Sequence, residues 1–244
     1  MQKNGLIHMN INLKNQMRVG AILFFLLVST SFFAQKTRNP DAAWSSIAIG
    51  LKFNDKWSDI TDFGYRTISS EFIPYTYYAR TAMRYNINKR WNAAGGIAFY
   101  NQKTSYLKEN HEYGTEFRIY EEINRSSLKS HKVIFNQRFR IEQKFYQATS
   151  KKPPTQYMRA QYRIMTGYQF SSKMNIQAGP EWFESYQNKK IVFDQLRLYT
   201  TLNVSPGDGF GISLSFFKSI RSTTYQNIYQ IQLSKNLQLH EQQH

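Results

Sequence analysis

The chain has 244 residues, no cysteine and a formal net charge of +16, with 17 Tyr and 18 Phe. Without cysteine it can form neither disulfides nor thiolate metal sites, so its stability must come from packing and backbone pairing. The positive balance admits polyanions as partners, but the basic residues are spread through alternating segments and loops, so no nucleic-acid partner is expected and anionic lipid headgroups suit the charge better.

The charged residues before position 35 are Lys3, Lys14 and Arg18, which leaves +13 on the rest. They precede an apolar run of 14 residues, Ala21 to Ala34. That layout predicts a secretory signal peptide over residues 1–34, cut between Ala34 and Gln35; the run falls short of the ~20 residues of a spanning helix. Phe32 is larger than the residue usually found three before a cut, and Met17 offers an alternative start with a more ordinary basic region. No other apolar run is long enough for a helical span, and residues 35–43 read as a lead-in.

From Trp44 onward the chain reads as strands joined by turn residues. Residues 44–53 put Ile47, Ile49, Leu51 and Phe53 on one face, and Asn54-Asp55 turns into residues 56–67. Residues 75–87 alternate Tyr77, Ala79, Thr81, Met83 and Tyr85 against Tyr78, Arg80, Ala82, Arg84 and Asn86. Asn88-Lys89 leads to residues 90–101, and a polar loop leads to residues 114–124. There Glu116, Arg118, Tyr120 and Glu122 oppose Phe117, Ile119, Glu121 and Ile123. The next strand, 131–145, opposes Asn136, Arg138, Arg140, Glu142 and Lys144 to Phe135, Phe139, Ile141 and Phe145. Residues 156–170 bring Arg159 and Arg163. Residues 173–183 contain Pro180, which cannot donate to a ladder and predicts a bulge or strand end. Residues 191–204 bring Arg197, Ser205-Pro206-Gly207-Asp208 is a turn, residues 209–219 and 224–235 complete the set, and 236–244 read as a polar tail.

Successive side chains on a strand point to opposite faces. These strands therefore carry Arg and Glu in mid-strand on one face and aromatic or aliphatic residues on the other. Connections are short after odd strands and longer after even ones. Both regularities predict an all-β, antiparallel up-and-down transmembrane β-barrel with lipid outside and a polar lumen. A soluble sandwich is the alternative, with its polar face outward. Eleven strands can be counted, whereas bacterial barrels carry even numbers; the expectation is 10–12 strands, with twelve preferred. Trp44, Trp57, Trp91 and Trp182 fall near strand ends, where an interfacial girdle would form.

The segments Glu116-Phe-Arg118-Ile-Tyr120-Glu121, Arg138-Phe-Arg140-Ile-Glu142-Gln143-Lys-Phe145 and Phe193-Asp194-Gln195-Leu-Arg197, with the hairpin spacing around them, resemble an uncharacterised domain-of-unknown-function family of Gram-negative outer-membrane β-barrel proteins. The resemblance implies that fold and an outer-membrane location over the whole mature chain. It implies no activity, substrate or catalytic residue.

The candidate site is the inward charge layer: Glu116, Arg118, Tyr120, Glu122, Arg138, Arg140, Glu142, Arg159, Arg163 and Arg197. A turn at residues 126–130 predicts a register that faces Glu116 with Arg140 and Arg118 with Arg138. Paired guanidinium and carboxylate groups there can plug and hold a barrel closed. The excess of Arg, including Arg80 and Arg84, over Glu116, Glu122, Glu142 and Glu181 can instead form a narrow anion-selective constriction for a small anionic solute. A lipid hydrolase would need a Ser–His pair. Only His131, beside Ser130, offers one, and that pair reads as turn chemistry, so catalysis is not expected. No metal or cofactor signature is present.

Overall fold

The computed structural model describes residues 36–239 apart from Ser70, 106–108, Asn110, 129–131, 151–152 and Asn188. The predicted signal segment, the pair Ser130 and His131, and residues 240–244 of the expected tail lie outside the described residues. The chain divides into a unit ending at Thr37 and a unit from Arg38 onward, and the barrel is the second.

Among the described residues twelve strands form one sheet: β1 (Thr37–Arg38), β2 (Ala42–Lys52), β3 (Trp57–Ile68), β4 (Ile73–Asn86), β5 (Trp91–Lys103), β6 (Tyr113–Leu128), β7 (Val133–Tyr146), β8 (Thr155–Ser171), β9 (Met174–Gln187), β10 (Lys190–Gly207), β11 (Phe210–Ile220) and β12 (Thr224–Gln238). From β2 to β12 each strand pairs antiparallel with the next, and β12 pairs with β2 to close the sheet into a barrel. The twelve-strand expectation is met, with a distinction the count did not foresee. Eleven long strands make the wall, and the twelfth is the two-residue β1. In a meander of odd number the first and last strands run in the same direction. The closing seam is accordingly parallel, from Ile228↔Ala42 to Gln238↔Lys52. The first three residues of the expected tail, Asn236 to Gln238, therefore belong to the wall.

The turns at residues 53–56 and 87–90 are held by Asn side chains that accept from the backbone. Asn54 Oδ1 takes the N–H of Lys56 at 2.9 Å and of Trp57 at 2.8 Å, and Asn88 does the same for Arg90 and Trp91. An Asn that bonds its own backbone two or three residues on is a ready-made turn former. The expected contrast between the two barrel ends is only partial. At the opposite end the links between β5 and β6 and between β7 and β8 are long, but β9 and β10 are joined through residues 188–189 alone.

Pro180 neither ends β9 nor makes a bulge. It stays opposite Leu198 of β10, and on the β8 side the pairing steps from Arg163↔Glu181 to Thr166↔Ala178 with the register kept. The missing donor is thus absorbed as a local gap on one side. The bulge lies at Asp194 instead, where the β9–β10 register shifts between Phe193 and Gln195. One extra residue flips the alternation, so Phe193 packs outside against Trp182, with ring centroids 5.0 Å apart, while Asp194 turns in.

The alternation resolves as predicted. Ile47, Phe63, Met83, Ile97, Phe117, Ile119, Phe139, Ile141, Trp182, Leu198, Phe216 and Ile231 are exposed on the outer face. Asp62, Glu116, Arg140, Glu142, Lys144, Arg159 and Glu181 are buried within. Two inward tyrosines occupy the space above glycines: a Cβ on Gly64 would stand 2.0 Å from Tyr78 Cε1, and one on Gly96 2.7 Å from Tyr120 Cζ. Ring and missing side chain fill one another's space, so the wall packs closely at these two points.

Candidate functional site

The lumen is built from β6, β7 and β8 outward. Glu142, 2% exposed, is its hub. Arg159 of β8 donates to it at 2.6 Å, and Arg118 of β6 and Arg140 of β7 each approach it to 3.5 Å. From this hub two chains of ion pairs run around the wall. On one side Arg118 donates to Glu116, and Glu116 also holds Lys144 at 3.2 Å. On the other side Arg140 Nε donates to Glu122 at 2.8 Å, Arg138 stands 3.9 Å from Glu122 and donates to Glu181, and Glu181 reaches Arg197 at 3.8 Å. Tyr199 adds its hydroxyl to Glu181 at 2.9 Å. The inturned Asp194 takes Arg159 and Arg221, each at 3.3 Å. A separate pair, Arg80 with Asp62 at 2.6 Å, ties β4 to β3.

Taking these charges out of water is costly, and only close, multiple pairing offsets it. Arg suits the task because its planar fork can satisfy two carboxylates at once. Aromatic faces take up further guanidinium charge: Arg118 lies 3.9 Å over Tyr100 and Arg140 4.4 Å over Tyr120.

Every predicted site residue faces the lumen, and eight of the ten join the ion-pair network. Tyr120 contributes its ring and donates its hydroxyl to the Thr81 carbonyl at 3.4 Å. Arg163 lines the cavity, in register between Arg138 and Glu181, but has no ion pair of its own among the described residues. The predicted pairings themselves are corrected. Glu116 faces Tyr146, Arg118 faces Lys144, and Arg140 faces Glu122. β6 runs to Leu128 and β7 starts at Val133, so the hairpin turns later than residues 126–130 and the register moves by six. The shift is even, which is why the faces survive it.

Trp44 is the second correction. It does not join an interfacial girdle. It shares the inner face with Ser46 and Ala48, and Arg66 lies 3.8 Å over its ring. Its parity opposite Ile47 and Ile49 already carried that signal. The inward places of Arg66 and Asp62 carry little signal in the sequence, because the alternation of residues 56–67 is poor, with Asp59 and Thr61 on the apolar side.

The network does not fill the lumen. A cavity of about 950 Å³ remains, lined by Arg66, Arg118, Arg138, Arg140, Arg159, Arg163 and Arg197 against the carboxylates Glu116, Glu142, Glu181 and Asp194. Its other side, from β10 through β12, is neutral and polar: Thr201, Asn203, Ser213, Ser215, Gln230 and Gln232. Among the described residues no group of three or more His, Asp or Glu converges as a metal-ligand set.

A search of curated proteins finds no match. The model of the family described as protein of unknown function (DUF2490) matches residues 41–229, from the start of the barrel wall into β12. With that span covering most of the chain, and the charged lumen lying inside it, the protein belongs to the DUF2490 family.

Proposed function

We propose that the protein is an outer-membrane β-barrel, exported by its N-terminal signal, whose Arg/Glu network ties the wall together around a small basic cavity with a structural, binding or solute-handling role rather than a catalytic one. The observation that carries this reading is the inversion of the two faces. Large apolar side chains stand exposed around the outside, while charged ones are buried within. In water that arrangement would leave an apolar surface far beyond the few hundred Å² a soluble monomer presents, and in lipid it is the stable one. Closure through the β2–β12 seam supports it further, since it removes the free edges that lipid cannot satisfy. Outer-membrane fractionation with a heat-modifiable band on a gel is the expected result. Recovery in the soluble periplasmic fraction overturns the reading.

A second reading, a narrow anion-selective pore, is favoured by the excess of guanidinium groups over carboxylates on the cavity wall. Planar-bilayer recording tests it. Anion-selective conductance that is lost in Arg138→Ala and Arg140→Ala supports a pore, and a silent bilayer containing folded barrel removes it.

A further inference from the structure

The cations of the lumen are not equally engaged. Arg80, Arg118, Arg140 and Arg159 each donate to a carboxylate. Arg66 has no carboxylate partner among the described residues, and its Nε–H is buried without an acceptor. Three aromatic rings hold it instead: Trp44 at 3.8 Å, Tyr78 at 4.8 Å and Tyr100 at 5.5 Å from the guanidinium carbon. Stacking fixes the plane of a guanidinium and leaves its donor edge free, which is the state in which Arg recognises carboxylate or phosphate. Arg197 approaches the same indole to 5.6 Å, and its nearest carboxylate, on Glu181, is 3.8 Å away. Two under-compensated guanidinium groups thus flank Trp44 on the wall of one cavity.

The register places a different chemistry beside them. Across the parallel seam Trp44 pairs with Gln230, Gln230 with Ser215, and Ser215 with Thr201. The neighbouring row runs Ser46, Gln232, Ser213, Asn203. These neutral donors and acceptors suit hydroxyl groups and offer nothing to a second charge. A cavity of about 950 Å³ greatly exceeds the needs of a bare oxyanion and falls within the size of ligand pockets.

We propose that the lumen binds an anionic sugar, a phosphate or carboxylate carried on a polyhydroxyl body, with the oxyanion on Arg66 and Arg197 beside Trp44 and the hydroxyls against the β10–β12 wall. The proposal rests on the barrel reading above, because only a closed wall brings β2, β3 and β10 around one cavity. Its test uses the full-length protein in detergent, with heat-modifiable migration checked first, so that loss of the barrel and loss of the site are separate results.

The probes are glucose 6-phosphate, glucuronate, glucose and inorganic phosphate, followed by calorimetry and by tryptophan fluorescence. Glucose 6-phosphate or glucuronate should bind, and each at least ~10-fold more tightly than glucose or phosphate alone. Preference for the first over the second identifies phosphate as the favoured oxyanion, and the reverse identifies carboxylate; either supports the site. Arg66→Gln should weaken binding at least ~10-fold in a barrel that still shows the heat shift, since a charge-assisted bond is lost. Trp44→Phe should retain binding while abolishing the fluorescence change, because its ring, and not the remaining indoles, touches the site. Phosphate binding as tightly as the sugar phosphate, binding unchanged in Arg66→Gln, or no binding of any probe to the folded barrel overturns the proposal.

Discussion

Arg159 of β8 embraces Glu142 of β7 through two nitrogens, Nη2 at 2.6 Å and Nε at 3.1 Å, across a directly paired position of the two strands. Because Glu142 also neutralises Arg118 and Arg140, it stabilises three strands at once. Glu142→Ala should therefore lower barrel stability by about 3–5 kcal/mol, the cost of leaving buried charges uncompensated. Glu142→Gln, which keeps the shape and one acceptor, should lose less. The temperature at which the band shifts on a semi-native gel measures both, and an unchanged temperature for Glu142→Ala would show the network to be slack.

The packing of Tyr78 on Gly64 gives a sharper steric test. A Cβ at position 64 would meet the ring at 2.0 Å. Gly64→Ala is expected to destabilise by roughly 1–3 kcal/mol through forced displacement of the ring. Adding Tyr78→Ala should make the second change milder than it is alone, and a double-mutant cycle on thermal stability reads that coupling.

The outer face provides the test of environment. Ile119 is 46% exposed and lies in mid-strand among other outward apolar groups. Ile119→Arg should impair membrane insertion by up to ~2–4 kcal/mol, depending on depth, whereas Ile119→Leu should be silent. Folding yield into lipid vesicles is the measurement. Equal yields for the two variants would mean that the face meets water.

The parallel seam can be checked in a background that has no native cysteine to interfere. Ser45 pairs with Ile231, and Ile49 pairs with Lys235. Cysteines placed at 45 and 231, or in a second variant at 49 and 235, should both cross-link on oxidation. An antiparallel closure could bring only one of those pairs together, so a single cross-linking variant would reject the eleven-strand wall.

If the cavity conducts, its selectivity must reflect the guanidinium excess. Anion preference should weaken as salt is raised, because the Debye length falls from ~10 Å at 0.1 M to ~3 Å at 1 M. Bilayer reversal potentials at the two concentrations give the comparison, and a cation preference at low salt would rule out the pore reading.

The amino-acid order by itself determined which side chains face which way. Side-chain alternation is a local property with a period of two, so it puts Phe139 and Ile141 outside and Arg138, Arg140 and Glu142 inside whatever strands they pair with. An even slip of register leaves that division untouched. Partner choice belonged to the tertiary structure. Where the β6–β7 turn falls decides that Arg140 meets Glu122 and that Glu116 meets Lys144 in place of Arg140. A bulge, invisible in the alternation, brings Asp194 in. Ring closure, a property of all eleven strands together, sets β12 beside β2 in parallel and carries Trp44 and Arg66 to the edge of a cavity shared with Arg197. Local sterics set the faces, and the contacts between distant strands that hold the charged lumen exist only once the sheet has closed.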